Sequence, residues 1–514
     1  MTAAQPALIT ALLEPDRCPH PVQRVDLVET HGAWVLLASD EAWKIKKPVC
    51  LPFMDFSTLA LRRAACQAEV RLNRRFETAD PATHLYLDAL PIVGPVHDPR
   101  WGQPGEDDDS AIEWAVHMRR FNEDLRLDRL CARGALKPGH LHSLAQRMAA
   151  FQAAAAVAPV DGPWGKATDV LDFARDNLTA LRAGLTNPGD APLIDALNAW
   201  TEARATQLAP LLAQRLATGC VREGHGDLHL ANLVLIGNEV VPFDGIEFND
   251  ALRWIDVASD MAFAWMDLLD HGQPGLANGL LSDWLDASGD TTAADVLPFF
   301  AVYRALVRAK VAVIRSTQAG ADAVSSLVEA RGYAALALRT AWPPAPQLVI
   351  THGLSGSGKT WASSRWLQTE TSGRAIRLRS DVERKRLHGL RATQASGSGL
   401  NTGLYSPQAH TDTYAHLLER TGQLLRGGWS VLVDAAFLRR HEREAFAELA
   451  QVAGCPFHIL ATEAPLAVLR ERITERQARG ADASEATVAV LEQQLGWLEP
   501  LGESERARCL PAGH

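Results

Sequence analysis

Glycine, lysine and threonine stand at fixed spacings in the segment Gly353-Leu-Ser-Gly-Ser-Gly-Lys-Thr360. A short apolar run, Leu348–Thr351, precedes this segment, and a helical pattern that begins at Trp361 follows it. A strand, a glycine-rich turn and a helix in this order form the unit from which parallel α/β sheets are built. The sequence therefore predicts an α/β domain with a parallel sheet in the C-terminal part of the chain.

The same segment has the spacing G-x-x-x-x-G-K-[ST] of a P-loop. In such a loop successive backbone N–H groups surround a phosphate, the helix N-terminus adds positive potential, and the lysine reaches the β- and γ-phosphates. We therefore predict that Lys359 acts in catalysis and that Thr360 is a ligand of Mg²⁺. The predicted nucleotide-binding residues are Gly353, Leu354, Ser355, Gly356, Ser357, Gly358, Lys359 and Thr360.

Acidic residues end the next two strand-like runs of this part of the chain. Asp381 ends the run that starts at Arg374, and Asp434 ends Ser430–Asp434. Together with the P-loop, this pattern resembles adenylate- and gluconate-kinase-like P-loop kinases, a group that includes domains of the AAA type. The resemblance implies that Asp381 engages the hydroxyl of an acceptor and that Asp434 holds Mg²⁺.

Arginines recur on one face of the predicted helix Arg470–Arg479. Arg472, Arg476 and Arg479 stand at positions i, i+4 and i+7, which share a helix face. In the enzymes that this part resembles, such a helix is a mobile lid whose arginines neutralise the transferred phosphoryl group. We predict catalytic roles for Arg472 and Arg476 and a nucleotide contact for Arg479. The alternative is a solvent-exposed helix face on which glutamates lie next to the arginines.

A second constellation lies far upstream, in His225-Gly-Asp-Leu-His-Leu-Ala-Asn232. Two apolar runs around Gly237-Asn238 follow it and predict a β-hairpin, after which comes Asp244-Gly-Ile-Glu247. A hairpin brings its two ends together, so Asp227 and Asn232 are expected near Asp244. One such carboxylate can accept the proton of a hydroxyl while an asparagine and a second aspartate hold Mg²⁺. A metal cluster or an ordinary polar turn is the alternative interpretation.

This H-G-D-x-H-x-x-N pattern with its following Asp-Gly resembles the aminoglycoside-phosphotransferase (choline-kinase-like) branch of the protein-kinase fold. The resemblance implies a two-lobed α+β domain in which Asp227 is the catalytic base. It implies Asn232 and Asp244 as ligands of Mg²⁺ and Glu247 as a possible further ligand. The stretches starting at Lys44 and Leu72 are closer to a kinase-like family often fused to a P-loop domain, so phosphorylation of antibiotics is not assumed.

Lysines in a strand-like run near the N-terminus complete this second site. Lys44 and Lys46 fall on one face of a strand, and either side chain could reach the phosphates of a nucleotide. We favour Lys46, because Trp-Lys-Ile-Lys overlays the V-A-I-K strand of kinases, with Glu69 on the next helix orienting the lysine. A solvated basic strand end is the alternative. Nucleotide-covering residues are predicted at Thr30, His31 and Gly32.

Prolines mark the boundary between the two parts, in Ala341-Trp-Pro-Pro-Ala-Pro346. Three prolines in so short a stretch cannot continue a helix. We therefore predict a kinase-like domain at 1–340, a linker at 341–346 and a P-loop domain at 347–514. The formal charge changes from −12 before residue 347 to +2 after it, as expected for two modules of different origin.

Composition excludes several classes of protein. The net charge of −10 argues against general affinity for nucleic acid or acidic lipid. The seven cysteines include no C-x-x-C pair, which favours reduced thiols over disulfides or a zinc site. The N-terminus has no secretory signal pattern, and no apolar stretch is long enough to cross a bilayer. A cytoplasmic location is expected.

These observations together predict an enzyme, an ATP-dependent phosphotransferase with two Mg-ATP sites. Its expected acceptors are hydroxyls of small molecules such as sugars, amino-sugars or related metabolites. In one alternative the C-terminal domain phosphorylates nucleic-acid 5′-hydroxyls, for which Arg377, Arg379, Arg384 and Arg386 would supply positive charge. In another the protein is an ATP-binding regulatory switch. The sequence names neither acceptor and leaves the oligomeric state open.

Overall fold

A computed structural model describes most of the chain. The described residues are 4–30, 32–51, 54–77, 80–104, 110–318, 322–392, 394, 396–397, 402–479 and 484–511. They fall into two compact units. The first comprises Met1–Leu136, Ala150–Val170 and Ala209–Ala264, and the second comprises Lys137–Ala149, Leu171–Leu208 and Trp265–His514. The predicted domain division at 341–346 stays a prediction.

An antiparallel sheet forms the centre of the first unit. Its strand order is β1-β2-β3-β8-β6-β7, so β3 lies between β2 and β8. Two further strands, β4 and β5, pair with each other. The bounds are β1 Asp26–Glu29, β2 Ala33–Ala38, β3 Glu41–Lys46, β4 Cys50–Leu51, β5 Met54–Asp55, β6 Tyr86–Val93, β7 Arg100–Trp101 and β8 Ala111–Arg119.

The two faces of β3 have different environments because side chains alternate along a strand. Trp43 and Ile45 lie in an apolar core with Trp34 of β2 and with helix α1, Ala4–Leu12. Lys44 and Lys46 point to the other face, where helix α2, Leu59–Asn73, begins at an N-cap formed by Thr58. The alternation therefore directs both lysines towards the same helix.

The rest of the first unit contains short strands and helices that carry the predicted second constellation. Strand β9 pairs with β12, and β10 pairs with β11 in the predicted hairpin. The bounds are β9 Val221–Glu223, β10 Leu233–Ile236, β11 Glu239–Pro242, β12 Trp254–Asp256, α3 Leu127–Ala132 and α7 Asp250–Arg253. Helices α4 Pro138–Ala154, α5 Ala167–Gly184, α6 Asp190–Ala217 and α8 Val257–Asp270 contribute residues to both units.

A parallel sheet with strand order β14-β15-β13-β16 lies in the second unit. Helices surround it and provide the α/β character that the P-loop segment predicts. The strands are β13 Leu348–His352, β14 Ala375–Arg379, β15 Ser430–Asp434 and β16 Phe457–Ala461. The helices are α9 Pro274–Ser288, α10 Ala293–Ser316, α11 Ala323–Ala341, α12 Lys359–Thr369, α13 Ser380–Leu387, α14 Pro407–Arg426, α15 Arg440–Val452, α16 Leu466–Arg479, α17 Val488–Trp497 and α18 Glu503–Arg506.

Helix α9 covers the edge of this parallel sheet. Strand β14 is an edge strand, and its outer N–H groups need acceptors. The side-chain oxygen of Asn278 accepts from the backbone N–H of Ala375 at 2.9 Å, and that of Ser282 accepts from Arg377 at 3.1 Å. Both donating and accepting groups are buried. Helix α9, which precedes the proline-rich segment in sequence, therefore belongs to the same packed body as the P-loop sheet.

Candidate active sites

Lysines and carboxylates from three segments, namely β3, α2 and the loop 244–247, meet in the first unit. The Lys44 ammonium donates to Glu69 Oε1 at 2.9 Å and to Asp244 Oδ1 at 2.5 Å. The Lys46 ammonium donates to the other oxygen of Glu69 and to Glu247. Glu69 is fully buried, and it stands between the two lysines. The structure thus brings five predicted site residues together.

The electrostatics of this cluster keep its main groups charged. Burial by itself lowers the pKa of Lys44, but the carboxylates of Asp244 and Glu69 raise that pKa well above its usual value. Burial likewise favours the neutral acid at Asp244, yet the Lys44 ammonium outweighs it and lowers the carboxyl pKa. The buried Glu247 behaves differently, since desolvation raises its pKa despite Lys46.

Asp227 and Asn232 form the second half of this site. The Asn232 side-chain amide donates to Asp227 Oδ2 and to the Asp227 backbone carbonyl, both at 3.0 Å. The backbone N–H of Phe243 donates to the Asn232 carbonyl at 3.0 Å, across the open end of the β10–β11 hairpin. Asp244 is the next residue, so the hairpin brings the three residues together as predicted.

Asp260 of α8 anchors the loop that carries Asp227. Its two carboxylate oxygens accept from the backbone N–H groups of His225 at 2.8 Å and Gly226 at 2.9 Å. Asp260 is completely buried. Sequence reasoning missed this residue, because it lies 33 residues after Asp227 in a helix and belongs to no local motif.

The loop after the hairpin is held in an unusual backbone conformation. Asp244 has a φ of 59°, a region that non-glycine residues rarely occupy. Its N–H donates to the Tyr86 hydroxyl at 3.0 Å, and the N–H of Gly245 donates to the Asn73 side chain at 2.9 Å. Tyr86 and Asn73 are therefore further residues that sequence reasoning missed, and they fix where the Asp244 carboxylate points.

The predicted nucleotide-covering residues lie in the turn between β1 and β2. The Thr30 hydroxyl accepts from the N–H of Ala33 at 3.0 Å, and the carbonyl of Gly32 accepts from the N–H of Lys47 at 2.9 Å. His31 lies outside the described residues. One hydrogen bond thus lies between residues on either side of the turn, and the other joins the turn to the residue that follows β3. The predicted contact of the turn with a nucleotide stays a prediction.

The P-loop of the second unit has the backbone that its glycines permit. Gly353, Gly356 and Gly358 have φ values of 151°, 81° and 99°. Gly358 is the N-cap of α12, so the loop leads directly into a helix N-terminus, where N–H groups and the helix dipole favour an anion. This is the strand–loop–helix arrangement that the sequence predicts.

A cavity of about 1500 Å³ opens beside this loop. The predicted residues Lys359, Thr360, Asp381 and Asp434 all line it. The Lys359 ammonium donates to the carbonyls of Gly353 and Leu354, each at 2.9 Å. Burial lowers the pKa of this lysine against the attraction of Asp434 and Asp381. These two carbonyls therefore hold the lysine within the loop.

The two acids of this cavity are positioned by different partners. Asp434 is buried and accepts from the Ser363 hydroxyl of α12 at 3.0 Å. Asp381, at the start of α13, accepts from Arg384 at 3.2 Å. These hydrogen bonds position both acids in the lining of the cavity next to the P-loop.

The predicted arginine face of α16 borders the same cavity. Arg472 donates to the Gly356 carbonyl of the P-loop at 3.2 Å, and Arg476 donates to the Ala486 carbonyl at 3.0 Å. Both side chains line the cavity. Arg479 is the last residue of α16, and its side chain lies outside what the structure describes.

Gln494 of α17 contacts a backbone N–H group of the P-loop. Its side-chain oxygen accepts from the backbone N–H of Ser355 at 2.8 Å. That N–H belongs to the predicted phosphate-binding loop. Sequence reasoning missed Gln494, which is more than 100 residues from the P-loop and belongs to no motif.

Replacing Gln494 by alanine is expected to tighten ATP binding at the P-loop by about two- to tenfold, because a phosphate no longer has to displace a neutral hydrogen bond. Calorimetric titration measures the affinity for ATP. The binding signal that Lys359→Ala weakens is the one that belongs to the P-loop site. Gln493→Ala, one residue away on the same helix and cavity wall, is the matched control and should cause no tightening. Weaker ATP binding by Gln494→Ala would contradict the interpretation and make Gln494 a nucleotide contact.

The donor groups at both sites fit Mg²⁺ and a nucleotide. Mg²⁺ prefers a few hard oxygen ligands such as carboxylates, with phosphates and water completing the shell. Asp244 and Asn232 in the first unit, and Thr360 and Asp434 in the second, offer such oxygens. A lysine accompanies the oxygens at each site, as phosphate binding requires.

Two further findings concern the cysteines and the lengths of the apolar helices. All seven cysteines are free thiols. Among the helices that the structure describes, none is long and apolar enough to cross a lipid bilayer.

Comparison with known proteins identifies relatives along nearly the whole chain. Uncharacterized protein Rv2004c of Mycobacterium tuberculosis is 30% identical over 501 residues, which cover 95% of each chain. Uncharacterized protein Mb2027c of Mycobacterium bovis matches to the same extent. The chain belongs to the family of these mycobacterial proteins. Because the matches span both candidate sites, family members share the combination of the two parts.

A family model for an AAA domain matches residues 348–501. This match covers the P-loop, Asp381, Asp434 and the arginine face of α16. The prediction of an AAA-type P-loop domain at the C-terminal end is therefore confirmed, and the parallel sheet confirms its predicted α/β class.

Several solved structures are similar to parts of the chain. A choline/ethanolamine kinase family protein from Mesorhizobium loti has a TM-score of 0.39 and 11% identity, covering 66% of this chain and 95% of its own. Aminoglycoside 2′-phosphotransferase-IIIa has a TM-score of 0.41 and 13% identity, covering 65% and 97%. A sugar kinase from Janibacter sp. HTCC2649 has a TM-score of 0.24 and 22% identity, covering 32% and 83%.

Proposed function

We propose that this protein is an ATP-dependent phosphotransferase with two Mg-ATP sites, each of which transfers a γ-phosphoryl group to a hydroxyl of a small molecule. We assign one site to residues 1–340 and the other to 347–514. The observation that carries the proposal is the cavity in which Lys359, Thr360, Asp381 and Asp434 meet the arginines of α16. A phosphoryl-transfer enzyme needs this combination of cation, metal-binding oxygens and an acid for the acceptor.

At the P-loop site each residue has a distinct task. The backbone N–H groups of the loop and the Lys359 ammonium bind the phosphates, and Thr360 and Asp434 hold Mg²⁺, which neutralises charge on the phosphates when bound. Asp381 orients the acceptor hydroxyl and accepts its proton. Arg472 and Arg476 stabilise charge that develops on the transferred group.

At the first site Asp227 orients the acceptor hydroxyl and takes its proton. Its hydrogen bond from Asn232 fixes the carboxylate, and the side-chain oxygen of that asparagine, which accepts no hydrogen bond from the described residues, is available to a metal. Asp244 supplies a second metal-binding oxygen once Lys44 turns to the phosphates. Glu69 keeps the lysines in place through its two oxygens.

The geometry around the two lysines bears on their roles. Lys46 is 2% exposed and lies between Glu69 and Glu247, whereas Lys44 is 17% exposed and contacts the metal-binding Asp244. A phosphate bound close to Asp244 would lie beside Lys44, which contacts Asp244, rather than beside Lys46, which contacts Glu69 and Glu247. The preference for Lys46 stays a prediction, and this contact favours Lys44 as the alternative.

Two other functions are supported less well. A nucleic-acid 5′-hydroxyl kinase needs free arginines near the site, but Arg377 contacts Ser364 at 2.8 Å and Asp283 at 3.4 Å, and Arg386 donates to Leu285. These two cations are already committed within the protein. A regulatory ATP switch would need neither Asp227 nor Asp381, since neither is required for binding nucleotide.

ATP consumption by the purified protein tests the proposal. Wild type, Asp227→Ala and Lys359→Ala are compared against sugars, amino-sugars, aminoglycosides, nucleosides and 5′-hydroxyl oligonucleotides. We expect at least one small hydroxylated compound to stimulate consumption, and this stimulation should fall by about 100-fold or more in only one variant. If no acceptor stimulates turnover and both variants bind and hydrolyse ATP like wild type, the regulatory switch is the better account.

A further inference from the structure

The cavity beside the P-loop is larger than one ligand needs. Pockets for single small ligands have volumes of about 300–1000 Å³, whereas this cavity measures about 1500 Å³. The P-loop, Lys359 and Thr360 account for the end that takes nucleotide phosphates. Another part of the lining, which we term the acceptor wall, is formed by His410, Tyr414, Arg439, Glu442 and Trp497.

Aromatic side chains form the surface of the acceptor wall. The His410 ring packs against Tyr414 with centroids 4.6 Å apart and against Trp497 with centroids 6.0 Å apart. The Tyr414 hydroxyl is fixed, since it accepts from the backbone N–H of Phe437 at 3.1 Å. Such a rigid aromatic surface suits the C–H-bearing side of a small carbon skeleton.

Arg439 adds a positive charge to the acceptor wall. Its guanidinium carbon lies 4.8 Å from the centre of the Trp497 ring. In the part of the chain that the structure describes, Arg439 forms no ion pair with a carboxylate. Arg443, one turn later on α15, is by contrast paired with Glu505. Stacking on Trp497 therefore holds the Arg439 cation in place while its N–H donors stay available.

Among the described residues Glu442 forms no ion pair with the Arg439 guanidinium, and its carboxylate contacts other groups. One oxygen lies 2.8 Å from His410 Nε2, and the other accepts from the backbone N–H of Arg439 at 3.3 Å. The carboxylate therefore orients the imidazole and caps the N-terminus of α15. A guanidinium that borders a cavity without a carboxylate partner suits the carboxylate or phosphate group of a ligand.

We propose that the acceptor of the P-loop site is a small hydroxylated molecule that carries a carboxylate or phosphate group, which Arg439 binds. The carbon skeleton packs on Trp497 and His410, and a hydroxyl reaches Asp381. This inference rests on the function proposed for the same site. The acceptor oxygen forms a bond to the γ-phosphorus while the bond from that phosphorus to the bridging oxygen of ADP breaks, and the hydroxyl proton passes to Asp381.

The wall favours a small anion over the end of a nucleic acid. A nucleic acid carries a phosphate at every nucleotide and needs several cations along its path. The acceptor wall contains a single arginine, and the nearby Arg384 is paired with Asp381. One anionic group placed next to one hydroxyl fits these charges better.

Matched acceptors that differ in charge test the inference. ATP consumption is measured with D-glycerate against glycerol, with ribose 5-phosphate against ribose, and with a 5′-hydroxyl oligonucleotide. We expect the anionic member of at least one pair to have a KM at least tenfold lower than its neutral counterpart. Arg439→Gln should raise that KM by about 10- to 100-fold. Arg439→Lys, which keeps the charge but not the planar fork, should give an intermediate KM.

Arg440→Gln is the matched control, since Arg440 is the adjacent arginine, is exposed and lies outside the cavity lining. It should leave the KM of the anionic acceptor unchanged. Equal KM values within both pairs, or no effect of Arg439→Gln in a variant that still binds ATP, would overturn anion recognition while leaving phosphotransfer standing. Preferential phosphorylation of the oligonucleotide would overturn it in favour of a nucleic-acid acceptor. ATP binding that Lys359→Ala does not weaken would instead overturn the proposed function itself.

Discussion

Replacement of Asp260 by alanine is expected to destabilise the first unit by about 2–6 kcal/mol, since two buried N–H groups lose their acceptor at about 1–3 kcal/mol each. Those N–H groups belong to His225 and Gly226, at 2.8 Å and 2.9 Å from the carboxylate. Asp260 is fully buried, so water cannot easily take over as the acceptor. This is one of the two largest effects that we expect from a single substitution.

The same substitution should also disable the first candidate site. Asp227 follows Gly226 directly, and its own N–H donates to His225 Nδ1 at 3.2 Å. Burial lowers the pKa of His225, which keeps the imidazole neutral and able to accept that hydrogen bond. Without the Asp260 anchor the Asp227 carboxylate is displaced, and a displacement of about 1 Å can reduce turnover by about 100-fold.

Hydrogen exchange and thermal unfolding measure the two parts of this prediction. The amides of His225 and Gly226 should lose protection in Asp260→Ala, and the unfolding temperature should fall. Turnover is measured in a Lys359→Ala background, so that the P-loop site does not contribute. Asp40→Asn serves as the control, because this exposed carboxylate makes no hydrogen bond or ion pair with the described residues and can be removed at a cost of about 0.5 kcal/mol or less. Unchanged protection of both amides in Asp260→Ala would refute the anchoring role.

Replacement of Gly275 by alanine is expected to separate α9 from the P-loop sheet. A Cβ atom at this position would lie 2.0 Å from the Gln368 carbonyl oxygen and 2.6 Å from its carbon. Backbone atoms cannot give way as a flexible side chain does, so the helix itself has to move. Overpacking of this kind costs about 1–3 kcal/mol or more.

The movement should also break the hydrogen bonds that cover the edge strand. Asn278 and Ser282 lie one and two turns further along α9 and accept from the N–H groups of β14. Hydrogen exchange should therefore increase at Ala375 and Arg377, together with a lower unfolding temperature of the second unit.

Gly279 provides a matched control on the same helix. A Cβ atom there would meet no atom within 4 Å. Gly279→Ala should therefore stabilise the helix by about 0.5–1 kcal/mol, the usual difference between the two residues in a helix interior. Equal unfolding temperatures for Gly275→Ala and Gly279→Ala would mean that the close contact between α9 and Gln368 does not stabilise the packing of α9 on the P-loop sheet.

Local sequence determined the elements that carry the chemistry. The P-loop spacing predicts strand, turn and helix because only glycines adopt φ values such as the 81° of Gly356 without strain. The two apolar runs around Gly237-Asn238 predict the hairpin, and its pairing of Leu233 with Pro242 brings Asn232 next to Asp244. In each case the relevant residues are neighbours in sequence, so spacing alone is informative.

Tertiary structure decided the contacts that join distant segments. Asp260, Tyr86 and Asn73 hold the backbone around Asp227 and Asp244, yet each is an ordinary polar residue within a helix or strand. Gln494 reaches the P-loop across more than 100 residues. A buried N–H group requires an acceptor but does not specify which residue supplies it, so these partners are decided by packing.

The extent of the packed body around the P-loop was likewise decided in three dimensions. The prolines at 341–346 predict a chain break because proline cannot continue a helix. They carry no information about which helix covers the edge of the sheet that follows. The unpaired edge of β14 needs acceptors for its N–H groups, and Asn278 and Ser282 of α9 supply them from before the prolines. The sequence thus determined where the chain turns and where the glycine-rich loop lies, whereas the need of buried backbone N–H groups for acceptors decided what packs around them.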